Sequence, residues 1–215
     1  MKAALPWIGV VLAVFALLTL GVPPQPGEQD DGSVIAFAST PRGGMQEVDP
    51  EEIRLDCTDS PRCPDDYVGL VDAMAEDGRT GRDWLFEDVE ARDLLFAEVE
   101  NLPVGGIQQI RMVFEDPHVG IFEALLHVPS GHPPWAASVV VPGRNERAED
   151  YPGRLEAAEG GTMLLVLQPR GSDGASTEAR LGVQLSPAGL TLADLREYEV
   201  ALLQRYLAHR GDVRR

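Results

Sequence analysis

At 215 residues with 44% hydrophobic residues, the chain holds enough apolar material for one domain with a sizeable core. Its 18 Lys+Arg against 35 Asp+Glu, a formal net charge of -17, exclude the basic footprint that a nucleic acid partner requires. The acidity reads as a solvated, soluble surface.

The chain opens on Lys2 followed by an almost uninterrupted apolar run from Ala3 to Val22. A helix of about 20 apolar residues crosses a bilayer, so residues 1–22 predict export, either as a removed signal peptide or as an uncleaved membrane anchor. Thr19 and Gly21 are small enough for a cleavage site, yet the run exceeds a usual signal core, and both alternatives stay open. The expected location is outside the cytoplasm: membrane-anchored, periplasmic or extracellular. An uncleaved helix would itself be a membrane contact.

Residues 23–66 read as an acidic Pro/Gly-rich linker, with "PPQPGEQDDGS" and "STPRGGMQEVDPEE" too poor in apolar residues to fold. Cys57 and Cys63, in "DCTDSPRCPDD", are the only cysteines. In an exported protein such a pair is most simply a local disulfide. Two ligands are too few for a metal site and no His lies close by, so neither a metal nor another cofactor is expected. From Tyr67 to Asn101 the pattern turns helical, and residues 67–104 are expected as a helical segment. In "DWLFEDVEARDLLFAEVENLP", Leu85, Val89, Phe96 and Val99 fall near one helical face, with Asp83 as a cap and Pro103 beyond the end. Trp84 and Phe86 are ordinary core positions.

Residues 105–215 change to strands and then alternate strand with helix. "IQQIRMVFE" and "IFEALLHVP" flank the turn "DPHVG", predicting an antiparallel hairpin of Ile107 to Glu115 with Ile121 to Val128. "AASVVV" and "TMLLVLQ" are continuous apolar runs suited to strands covered on both faces, with a weak helix around "RLEAAEGG" between them. The last helix opens on Thr191 and Asp194 in a capping pattern. It places Leu195, Tyr198, Leu202 and Tyr206 on one face, with Gly211 past its end. Strand, helix, strand, helix implies parallel pairing with crossover helices. One further strand is expected after "GDVRR"; without it the face carrying Leu195, Leu202 and Tyr206 should lie open, and a protein partner could cover the exposed sheet edge.

The hairpin, the strand running into "VVVPGRNERAEDY", the unit "GGTMLLVLQPRGSDGAS" and the capped helix ending "YLAHRGDV" together resemble the N-terminal half of an α/β-hydrolase. The branch they resemble is the dienelactone hydrolase and acetyl xylan esterase type. The resemblance implies an α/β fold with an incomplete hydrolase-type sheet, an antiparallel hairpin followed by parallel strands. It also implies that the G-x-S-x-G elbow, the catalytic acid and the His lie beyond the last helix, so the chain is read as a fragment left by truncation, a frameshift or a gene-boundary error. No G-x-S-x-G occurs in the 215 residues. What the resemblance leaves within the chain is one half of an oxyanion hole, the loop Gly143, Arg144 and Asn145 after Pro142.

No other group builds a site by itself. Ser172 beside Asp173 lacks a base, and His118, His127, His132 and His209 are scattered, with His127 on the outward phase of its strand. Glu146, Glu149 and Asp150 read as solvated carboxylates. Two functions follow: an exported protein of serine ester hydrolase ancestry, inactive as it stands and taking a small ester only if its fold is completed, or a non-catalytic, membrane-anchored envelope or binding protein.

Overall fold

A computed structural model describes residues 43–54, 71, 74, 78, 81–143, 146–151, 153–171 and 175–214. The segment expected as a membrane or signal helix, most of the expected linker, Cys57 and Cys63 lie outside the described residues. No helix among the described residues is long and apolar enough to cross a membrane.

Among the described residues, six strands form one mixed sheet: β1 (Met45–Glu47), β2 (Leu94–Val104), β3 (Ile107–Asp116), β4 (Gly120–Val128), β5 (Ala136–Val140) and β6 (Thr162–Leu167). Their spatial order is β1-β2-β3-β4-β6-β5. Among the described residues, helices accompany them at α1 (Pro50–Arg54), α2 (Arg82–Phe86), α3 (Gly153–Glu159), α4 (Ala175–Leu185) and α5 (Leu192–His209).

The expected hairpin is present, with β3 and β4 antiparallel in register from Gln108 opposite Val128 to Asp116 opposite Gly120. The parallel pair is also as expected, β5 running beside β6 with Ala136 opposite Thr162 and Val140 opposite Val166. Strand β6 lies between β4 and β5, antiparallel to β4.

Side-chain alternation assigns the two faces of this sheet. On β6, Met163, Leu165 and Leu167 enter the main core beneath α4 and α5, where they meet Leu181, Leu185, Leu195 and Leu202. Leu164 and Val166 turn to the opposite face, where Ala157 of α3 covers them. Farther along that second face, Ile53 of α1 covers Ala97, Val113 and Ile121. Helices therefore pack on both sides of β6, which accounts for its continuous apolar run, whereas Ala136 and Ser138 of β5 are exposed.

The helical segment expected over residues 67–104 is corrected in its second half. Helix α2 ends at Phe86, and Leu94–Val104 is a strand. Leu94 and Phe96 join the main core while Leu95, Ala97 and Val99 pack on the other face, a period of two rather than 3.6. Pairing with β3 decides between the periods: β2 runs antiparallel to it from Leu95 opposite Glu115 to Val104 opposite Ile107. Gly105 and Gly106, both at positive φ, close the connection as the two-residue turn that such a hairpin favours.

Helix α5 begins with the expected capping box. Thr191 Oγ1 accepts from the Asp194 N–H at 3.2 Å, and Asp194 Oδ2 accepts from the Thr191 N–H at 2.8 Å. Its apolar face is not open, contrary to expectation: Leu195, Tyr198, Leu202 and Tyr206 are all buried. The cover comes from the strands on the near side of the sheet, including the unforeseen β2. Tyr206 meets Phe96 of β2 at a ring-centroid distance of 5.0 Å and Phe114 of β3 at 5.2 Å, both edge-on.

Past α5 the chain turns back to the sheet. The Trp135 N–H donates to the Asp212 carbonyl at 2.9 Å and the Arg214 N–H to the Trp135 carbonyl at 2.7 Å, a parallel bridge of Val213 with Trp135. Arg210 fixes the turn by pairing with Asp212 at 2.7 Å.

Replacing the cap should weaken this helix measurably. Thr191→Ala is expected to lower stability by about 1 kcal/mol in urea unfolding. The Thr191 hydroxyl, first among the causes, holds the Asp194 carboxyl below its usual range. A folded pKa below the unfolded value of about 4 makes this contribution complete above that value, and it is lost as pH falls through the lower folded value. The difference between Thr191→Ala and the parent should therefore narrow in acid; a difference that widens below about pH 4 would contradict the box.

Candidate functional site

The parallel strands β5 and β6 deliver two loops to the same edge of the sheet, at their carboxyl ends. The loop after β5 leads to α3 on one face, and the loop after β6 leads to α4 and α5 on the other. Adjacent strands whose connections part in this way leave a crevice between them, the usual ligand position in open α/β sheets.

On the β5 side stands Gly143, exposed, after the buried Pro142. Its N–H, the candidate oxyanion donor, donates to Glu146 Oε2 at 2.8 Å. A Cβ at this position would lie 3.0 Å from the same oxygen, so the absence of a side chain permits the close approach. Arg144 and Asn145, the other residues of the expected loop, lie outside the described residues, as do Ser172 and Asp173. The loop is tied to its neighbour by Gln168, whose side-chain oxygen accepts from the Ala148 N–H at 2.9 Å.

On the β6 side stands Arg170, buried with a buried carboxylate for its partner. Its Nε donates to Glu199 Oε1 of α5, and its Nη2 donates to the Val119 carbonyl at 2.8 Å. The Arg170 carbonyl accepts in turn from Arg196 at 3.3 Å. Burial pushes the Glu199 carboxyl up, and the Arg170 charge opposes that shift. Alongside, Asp116 Oδ1 accepts from the N–H groups of His118 and Val119 at 2.9 and 3.0 Å, shaping the β3–β4 turn. Tyr198 donates to Asp116 Oδ2 at 3.1 Å, and Arg92 donates to the Tyr198 oxygen at 2.6 Å. Burial, with the Asp116 charge second, pushes the Tyr198 phenol well above its ordinary range.

These groups hold the loop after β6 against the β3–β4 turn and α5. Their arrangement is that of a positioning network. Sequence reading missed it, although one signal was available: Glu199 falls on the same helical face as Leu195, Leu202 and Tyr206, where a charge needs a partner.

The remaining candidates stay apart. His127 is fully buried on β4, opposite Gln109 of β3 and Leu164 of β6, which corrects the expected outward phase. Strand β4 carries helices on both faces, so neither phase reaches solvent there. His118 packs edge-on against Trp84 at 4.6 Å, whereas His132 and His209 are exposed. Glu149 faces Arg111 at 3.5 Å, while Glu146 caps Gly143, so the acidic loop residues do not oppose one another across a cleft. No group of three or more His, Cys, Asp or Glu among the described residues is placed to hold a metal ion.

No protein-family model matches the chain, and no curated protein matches it. Among solved structures it is similar to a Bacteroides fragilis NCTC 9343 protein provisionally named an acetyl xylan esterase, at 12% identity and a TM-score of 0.49. The match covers 68% of this chain, which spans 43% of the length of that one.

The buried pair supplies a stability test. Glu199→Gln leaves the Arg170 charge buried without its counter-ion and should cost about 3–5 kcal/mol in urea unfolding. Arg170→Met combined with Glu199→Leu should recover most of that loss, since a buried pair exchanged for packed apolar groups is close to neutral. A single Glu199→Gln variant as stable as the parent would show that the pair does not hold the loop.

Proposed function

We propose that the chain is an exported α/β-hydrolase-like protein of serine ester hydrolase ancestry, and that these 215 residues by themselves do not turn over esters. One observation carries the reading: β6 is inserted between β4 and β5, and the chain after α5 then returns to the far side of β5. The loops after β5 and β6 thereby diverge at the point where open α/β sheets bind ligands. The order of hairpin, strand, loop, helix, strand and helix is the order the sequence resemblance implies. A strand entering the sheet through Val213 would then precede the serine elbow.

The chemistry of the described loops favours inactivity. An oxyanion hole needs two N–H donors aimed at the developing charge. The Gly143 N–H is instead engaged by the Glu146 carboxylate, whose negative charge opposes an oxyanion at that position. The 215 residues contain no G-x-S-x-G sequence. Loss of a serine nucleophile or its base costs on the order of a million-fold.

The test uses p-nitrophenyl acetate with the purified 215-residue protein and its Ser172→Ala variant, after fractionation of the native host. Background hydrolysis by both proteins, and recovery outside the cytosolic fraction, are expected. Turnover that disappears in Ser172→Ala would contradict the inactivity, and wholly cytosolic recovery would contradict the export.

A further inference from the structure

Residues 43–53 lie along the β2 edge of the sheet with little of their own surface buried. Among them only Ile53 is buried, while Gly44, Gln46, Glu47 and Asp49 are exposed. Strand β1 runs parallel to β2, with Met45 opposite Leu94 and Glu47 opposite Phe96. The segment then crosses the edge: Met45 packs against the main core on one face, and Ile53 covers Ala97, Val113 and Ile121 on the other.

The fastening is mostly backbone. The Gly43 N–H donates to the Glu90 carbonyl at 3.0 Å and the Gly44 N–H to Asp93 Oδ1 at 2.9 Å. In the ladder, the Leu94 N–H donates to the Gly44 carbonyl and the Val48 N–H to the Phe96 carbonyl, both at 3.0 Å. The two glycines make this approach possible. A Cβ on Gly43 would collide with the Arg92 carbonyl oxygen, and one on Gly44 would lie 2.9 Å from Asp93 Oδ1. A clash with backbone is not relieved by turning a side chain, so Gly43 carries the stricter requirement.

Whether the segment can open alone depends on what it leaves behind. Arg205 is buried, and a buried guanidinium deprived of all its acceptors would forbid opening. Its Nη1 donates to the Val89 carbonyl at 2.7 Å, and its Nη2 to the Arg92 carbonyl as well as to the Gly44 carbonyl at 3.3 Å. Only the Gly44 bond is lost on opening. Asp93 is exposed, and the Leu94 N–H and Phe96 carbonyl face the outer side of the edge, where water takes the place of the segment. Opening therefore costs the burial of one side chain, Ile53, and part of another, Met45, and leaves these polar groups with partners.

We propose that residues 43–53 are a strap that opens and closes as one unit while the sheet and α5 stay folded. Closed, it masks the Leu94–Phe96 edge together with the apolar patch of Ala97, Val113 and Ile121, surfaces that invite pairing with another chain when bare. The fit of Gly43 against the Arg92 carbonyl holds it shut.

Native-state amide exchange on the full chain tests the strap. The Gly43, Val48 and Leu94 amides should share one opening and be protected at least about a hundredfold less than Phe114 of β3 and Leu165 of β6, whose strands are paired on both sides. Gly43→Ala should speed exchange at Val48 and Leu94 at least about tenfold further and leave Phe114 and Leu165 unchanged. Binding of an apolar dye should rise in the same variant as the patch is uncovered. If Gly43→Ala unfolds, Asp93→Ala, which removes the exposed acceptor of the Gly44 N–H, should speed exchange at all three strap amides about fivefold.

Four outcomes overturn the proposal. The three amides exchange only along with Phe114 and Leu165; they open independently of one another; Leu94 stays as protected as in the parent in a folded variant; or dye binding is unchanged while Leu94 exchanges freely.

Discussion

The buried ion pair between Arg170 and Glu199 is the constraint on which the rest of the arrangement depends. Both side chains are almost wholly removed from solvent, at 4% and 0% exposure, so each charge is tolerable only while the other is in place. Arg170 belongs to the loop at the end of β6 and Glu199 to the second turn of α5. Joining them sets where α5 crosses the sheet. The same guanidinium reaches the Val119 carbonyl, and Tyr198, one residue before Glu199, reaches Asp116. One turn of one helix thus gathers the β3–β4 turn and the loop after β6 into a single cluster.

The other end of α5 is held by different means. Arg205 donates to the carbonyls of Val89, Gly44 and Arg92, tying the helix to the segments that lead into β1 and β2. Arg210 donates to the Tyr206 phenol at 2.8 Å and pairs with Asp212, whose carboxyl it holds below the usual range. With both ends fixed, the chain leaving α5 has one direction available, along the outer side of Trp135.

Much of this was legible in the sequence where one physical signal dominated. The antiparallel hairpin was announced by apolar runs around a Pro/Gly turn, and α5 by Thr191 and Asp194 together with the spacing of Leu195, Tyr198, Leu202 and Tyr206. Strand β2 was not, because Phe96 and Val99, three residues apart, satisfy a helical spacing, whereas in the strand they fall on opposite faces. The antiparallel partner β3, distant information for a local pattern, resolved the ambiguity. His127 was misplaced for a related reason: the phase of a strand says which residues share a face, not that a second layer covers the other face. Of the candidate site, Gly143 could be placed at the end of β5. Its engagement by Glu146, three residues on, needed the loop conformation. The Arg170–Glu199 pair joins residues far apart in sequence, and only the misfit of a carboxylate on an apolar helical face hinted at it.

The central claim is that docking of α5 through Glu199 places the chain after it in parallel beside Trp135. Native-state amide exchange at Trp135 and Arg214, whose N–H groups form the two hydrogen bonds of that bridge, reads this most directly. In the parent protein both amides should be protected. In Glu199→Gln, examined under conditions where β3 and β4 remain protected, both should lose protection together. Retention of both protections in the variant would contradict the claim, as would free exchange of either amide in the parent.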